Sequence, residues 1–223
     1  MEYTFQFGVV FASLGLLAKG AWLTVQLSAA AMVAGLVFGT LFAVLRGFGG
    51  RWADRLIGAY VEVIRNTPFL IQLFLIYFGL PSIGISLDPV TAALIGMSIN
   101  CAAYTTEIIR AGIMAVPRGQ IEAARALAFS TMDIIRHIVL FPALRVAAPA
   151  LGSQFILVML GSSVVSTVSA EELTAVGHVL ETETFRPFEV YIVVTLIYLA
   201  IAFAMKLLFA WLDMAWFARR GRL

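Results

Sequence analysis

The stretch Arg118–Pro142, RGQIEAARALAFSTMDIIRHIVLFP, decides how this chain is read. It is polar and helix-capable, and it sits inside a chain that is 61% hydrophobic and only 13% charged. Soluble domains carry about 25% charged residues, so this composition leaves too little polar surface to coat a globule. With a mean hydropathy of +0.97, the chain reads as an all-α polytopic membrane protein. The polar stretch is then a piece of protein held outside the lipid.

Working outward, five apolar stretches are long enough to span a bilayer core, which takes about 20 helical residues each. They run from about Ala21 to Leu45, Leu56 to Leu80, Pro89 to Ile109, Pro149 to Val168 and Phe188 to Leu212. Residues 3–18 form either a short interfacial helix or an extension of the first span. Glu2 is the one charge before Lys19, so the basic start of a signal peptide is missing. Arg46, Arg51 and Arg55 follow the first span, Arg110, Arg118, Arg125, Arg136 and Arg145 the third, and Arg219, Arg220 and Arg222 the fifth. The alternate links hold Lys19 and Arg186 beside Glu171, Glu172, Glu181 and Glu183. Cations favour the cytoplasmic side, which places the N-terminus outside and the C-terminus inside. Residues 1–223 are expected to form a single transmembrane domain in the bacterial inner membrane, with the polar stretch in the cytoplasm.

Enzymatic chemistry finds little support. His137 and His178, the two histidines, fall on opposite sides of the membrane and form no metal-binding pair. Cys101 is single, and no phosphate-binding glycine loop is present. The polar residues within the spans point instead to a path for solute, since such residues usually face a bundle interior or water. Thr67 and Gln72, then Asn100 and Tyr104 on one helix face, then Ser162, Ser163 and Ser166 are the candidates. Glu62 with Arg65, and Glu107 with Arg110, are spaced as structural ion pairs.

Pro117 suits a helix start, and Gln120–Phe129 is rich in helix formers. Ser130 or Thr131 can cap a second helix. Glu122 beside Ala123 and Ala124 gives a nearly bare helix surface, as a docking element for a soluble partner requires.

These residues resemble a known family. EAARALAF…IVLFP is similar to the cytoplasmic EAA motif of ABC importer permeases, and AYTTEIIRAGIMAVPRGQIEAARAL, RNTPFLIQLF and GAWLTVQLS resemble its polar amino acid branch. The resemblance covers roughly positions 20–212. It implies a pore-forming permease subunit with a coupling helix over about 117–136, carried by Gly119, Glu122, Ala123, Ala124 and Ala128. It implies partners: a dimer of ATP-binding subunits that holds the ATP and Mg, a second permease subunit (a heterodimer is favoured over a homodimer), an external solute-binding protein, a small polar solute and lipid. No cofactor is expected on this chain, and no nucleic acid. Ala128 stands where the family has glycine, and Phe141 where it has proline. The branch often carries a Lys-Asp pair where VMLGSSVVSTVS has Leu160 and Gly161. The competing reading is a membrane scaffold or assembly protein that uses a docking helix.

Overall fold

The computed structural model describes residues 3–215, and the arginines of the tail at 219, 220 and 222 lie outside them. Among the described residues the regular structure is all helical. α1 is Phe7–Ala12 and α2 is Leu14–Phe48. α3 is Gly50–Arg65, and α4, Phe69–Phe74, runs on through a π-helical turn and a 3₁₀ turn to Ile83. α5 is Pro89–Met114, α6 is Arg118–Ala126 and α7 is the short Thr131–Asp133. A π-helical stretch, Ile134–Val139, leads into α8, Leu140–Gly161, which ends in a 3₁₀ segment, Ser162–Val168. α9 is Leu173–Thr184 and α10 is Pro187–Asp213.

Four helical runs are long and apolar enough to cross a membrane: Leu14–Phe48, Pro89–Met114, Thr131–Val168 and Pro187–Asp213. A fifth span exists if α3 and α4 are the two halves of a broken one. The sequence-derived boundaries shift accordingly. The helix of the first span starts at Leu14 rather than Ala21, so part of residues 3–18 extends that helix. At 35 residues it is about 52 Å long, well beyond a bilayer core of about 30 Å. The second is not the continuous helix expected from Leu56 to Leu80. Pro68 lacks an N–H and restricts the residue before it, so the helix stops at Arg65 and restarts at Phe69. The fourth does not begin at Pro149, which lies inside α8. α9 falls in a link where no helix was expected.

Two compact units divide the chain. One gathers the chain up to Ala31, Phe69–Met97 and Ile156–Leu207. Its core holds Val10, Leu17, Leu173, Leu180, Val190 and Val194, joining α1, α2, α9 and α10. Gly20 permits a close approach here, since a Cβ on it would lie 3.0 Å from the Leu173 Cα.

The other unit holds Met32–Pro68, Ser98–Phe155 and the chain from Leu208. Gly35 and Gly39, spaced as GxxxG, let α2 approach α5 closely. A Cβ on Gly39 would sit 2.6 Å from the Thr105 Cβ, and one on Gly35 2.8 Å from the Cys101 Cβ. Cys101 is fully buried at this seam. Gly112 plays the same part against the Ala143 carbonyl of α8.

Candidate functional site

The candidate coupling element, α6 with the turn into α7, is built as the sequence suggests, with one reversal. Pro117 precedes α6, and the helix ends in a Schellman motif. The Phe129 N–H donates to the Ala124 carbonyl at 3.1 Å, and the Ala128 N–H to the Arg125 carbonyl at 3.0 Å. Ala128 itself adopts φ +57°, the left-handed conformation that the family's glycine would take without strain. Ser130 then caps α7, its Oγ accepting from the Asp133 N–H at 3.2 Å.

The reversal concerns Ala124. Expected on a bare outer surface, it is only 4% exposed. Its face of α6 turns inward and packs with the Ile134–Val139 stretch, whose Ile134 and Val139 are buried too. A small residue is needed there for packing within the chain. The outward face instead carries Gly119, Glu122 and Ala123. It continues through three apolar side chains that sequence reading passed over: Leu127 at 73% exposure, Met132 at 69% and Phe129. Leu127 and Phe129 lie outside the candidate spans and Met132 at the start of one, which makes this a candidate interaction surface.

The pathway candidates fall in both units. In the first, Gln72 is buried in α4. Ser162, fully buried, donates to the Met159 carbonyl at 2.7 Å. Ser163 and Ser166 donate to the carbonyls of Leu160 and Ser163 at 2.9 and 2.7 Å. The tighter 3₁₀ geometry turns each hydroxyl proton onto the preceding turn, leaving its oxygen lone pairs for other partners. The same unit also holds a buried acid that sequence reading had placed among exposed charges. Glu172 is 0% exposed. It accepts from the Tyr198 hydroxyl at 2.6 Å, the Thr24 hydroxyl at 3.2 Å and the Ala175 N–H at 2.9 Å, and so caps α9.

In the second unit Thr67 is exposed at the α3 break and donates to the Val63 carbonyl at 2.8 Å. Asn100 and Tyr104 are half-buried in α5. Tyr104 lies beneath a cation, with the Arg65 guanidinium 5.3 Å from its ring centre. Of the two expected ion pairs, Glu107 with Arg110 is present at 2.8 Å. Glu107 also pairs with Arg46, which in turn reaches Asp54 at 3.0 Å. Arg65 stands elsewhere than expected. Its ion pair is with Glu107, at 3.9 Å. Glu62 takes the Asn66 side-chain amide instead, at 2.9 Å, because the helix ends at Arg65 and Asn66 folds back as its cap.

Among the described residues no cluster of three acids, histidines or cysteines could hold a metal.

Comparison with known proteins places this geometry. Residues 35–217 match the family described as binding-protein-dependent transport system inner membrane component. The glutamine transport system permease protein GlnP of Escherichia coli (strain K12) is 34% identical over 204 residues, 91% of this chain and 93% of that protein. The nopaline transport system permease protein NocM of Agrobacterium fabrum is 38% identical over 193 residues, 82% of this chain and 80% of that one. A crystal structure of an amino acid ABC transporter with histidines superposes with a TM-score of 0.87 at 33% identity, covering 96% of this chain and 100% of that one. The chain therefore belongs to the inner membrane components of binding-protein-dependent transport systems, as a multi-pass bacterial inner-membrane permease subunit of an ABC importer whose ATP hydrolysis lies in a separate subunit.

Proposed function

We propose that this chain moves polar amino acids inward across the membrane, by alternating access driven through α6. The observation that carries the reading is the outward face of α6 and its turn, Gly119, Glu122, Ala123, Leu127, Phe129 and Met132, in a chain whose sequence carries no phosphate-binding glycine loop. Ala128 shapes the turn that presents it. ATP-driven closure of the partner ATPase dimer would draw two such helices together, and the helices they join would follow. The solute class rests on the glutamine and nopaline permeases and the amino acid transporter to which the chain is similar.

The full arrangement has five spans, α3 and α4 forming one broken span, with the N-terminus outside, the C-terminus inside and the whole acting as one transmembrane domain. Thr67, Gln72, Asn100, Tyr104, Ser162, Ser163 and Ser166 line the solute path. A second permease of different sequence completes the pore, because this chain has Leu160 and Gly161 where the branch often carries a charged pair. Gly161 has no packing reason of its own within the chain, since a Cβ on it would meet nothing within 4 Å. This chain binds no cofactor, and ATP and Mg sit in the partner. The external binding protein delivers the solute.

The test is uptake of a panel of labelled amino acids into liposomes that hold the permease subunits and the ATP-binding subunit, with binding protein added outside. Uptake of at least one amino acid, dependent on ATP and on binding protein, is expected. ATP-driven uptake of a different solute class, with no amino acid carried, would overturn the class. The mass of the purified complex checks the heterodimer.

A further inference from the structure

Arg65 is the last residue of α3, three positions before the proline that breaks the helix. An arginine in or beside a membrane span is costly unless it is paired or faces water. Its neighbours of opposite charge are already engaged. Glu107 takes two donors from Arg110, Nε at 3.1 Å and Nη2 at 2.8 Å, and a third from Arg46. Asp54 takes the Arg46 Nε at 3.0 Å. Glu62, three residues back on the same helix, takes the Asn66 amide. Arg46 and Arg110 thus supply the hydrogen bonds to Glu107 and Asp54, and Arg65 is a third guanidinium 3.9 Å from an acid that the other two engage. Among the described residues it is held by the Tyr104 ring face and by that distant charge, with no hydrogen bond from its fork. Its side chain is 40% exposed. A planar fork that lies over an aromatic ring, is 40% exposed and reaches its acid only at 3.9 Å suits a planar oxyanion held in two parallel hydrogen bonds.

We infer that Arg65 is this chain's contact for the carboxylate of the transported solute, with Tyr104 fixing the guanidinium plane beneath it. The inference rests on the amino acid reading and extends it. This contact is separate from the charged pair that a second permease would supply where this chain has Leu160 and Gly161. Tyr104 then acts as a positioning residue rather than as a ligand through its hydroxyl.

The experiment uses the permease–ATPase complex in nanodiscs and an amino acid that the wild-type complex carries in the uptake assay. Binding of that amino acid and of its α-carboxamide is measured for wild type, Arg65→Gln and Arg65→Lys. Wild type is expected to prefer the carboxylate form at least tenfold. Arg65→Gln should bind both forms equally and weakly, and Arg65→Lys should keep part of the preference, since an ammonium holds charge without the fork. Co-purification of the ATPase with each variant checks assembly. The inference is overturned if Arg65→Gln keeps the wild-type preference or if wild type shows none. If no amino acid is carried at all, the solute reading fails before Arg65 is tested.

Discussion

Glu172 and Glu107 are two carboxyl groups removed from bulk water by opposite means. Glu172 is enclosed by neutral donors, the hydroxyls of Thr24 and Tyr198 and the N–H of Ala175, drawn from α2, α10 and α9. Glu107 is enclosed by the cations Arg46 and Arg110, with Arg65 beyond them, drawn from α2, α5 and α3. The neutral cage is saturated and short-ranged, so it pins α9 in place and offers nothing to a ligand. In the cationic cage Arg65 reaches Glu107 only at 3.9 Å, which on our inference leaves it to receive an anion. A bundle that must move can use the first as a fixed joint and the second as a place where charge is exchanged.

The largest effect should come from the neutral cage. Glu172→Leu keeps the bulk but strands the buried Thr24 hydroxyl and the capped N–H, and leaves the Tyr198 hydroxyl with Thr174 alone. It is expected to lower stability by about 3 kcal/mol, read as a fall in thermal midpoint of the purified protein. Thr24→Val should cost about 1 kcal/mol, and an unchanged midpoint in both would mean the cage is not a joint. Glu107→Gln comes next, at about 2 kcal/mol, because the site is partly open to solvent and water can replace some of what is lost. Salt sharpens the contrast. Raising ionic strength should shrink the penalty of Glu107→Gln and leave that of Glu172→Leu unchanged, since screening acts on ion pairs near the surface. Equal salt responses would erase the distinction.

Ala128→Gly tests a backbone term outside both cages. It should stabilise by about 1 kcal/mol, because alanine is held at φ +57° and glycine bears no Cβ penalty there. Loss of stability in thermal unfolding would contradict the left-handed turn. The smallest effect belongs to Asp88, a third acid that is held neither by cations nor in a cage. The Thr91 hydroxyl, with the N–H groups of Thr91 and Val90, keeps its carboxyl below the ordinary range. The anion therefore binds its donors more tightly in the folded chain. The stability it gives is present above the unfolded pKa of about 4 and is lost as pH falls through the lower folded value. Amide exchange in the first turn of α5 should speed up as pH falls through that window, relative to Asp88→Asn under the same conditions.

Local chemistry made the coupling element readable. Helix formers, a capping serine and a motif alanine in a glycine's place give α6, its turn and its left-handed residue within a single stretch of sequence. The errors lie where distant residues decide. Ala124 looks bare in sequence, but it is buried on a helix that packs with the Ile134–Val139 stretch. Glu172 reads as one of four glutamates in the links between spans, yet its partners Thr24 and Tyr198 lie 148 and 26 residues away. Arg65 is spaced to meet Glu62, but the helix ends beneath it and Asn66 takes that place. Pro149 resembles a helix start, and only the continuity of α8 on both sides shows otherwise. The Gly35–Gly39 spacing was a visible signal of the α2–α5 seam, and GxxxG spacing could have found it.

The most direct test of the account is ATP-dependent amino acid uptake by the reconstituted complex carrying Leu127→Asp, measured beside co-purification of the ATP-binding subunit. Leu127 lies on the outward face of α6 and buries little against its own chain. The account predicts a folded, membrane-inserted permease that loses both its hold on the ATPase and at least nine tenths of uptake. Wild-type uptake with full ATPase retention would contradict the central claim that this surface couples ATP hydrolysis to transport.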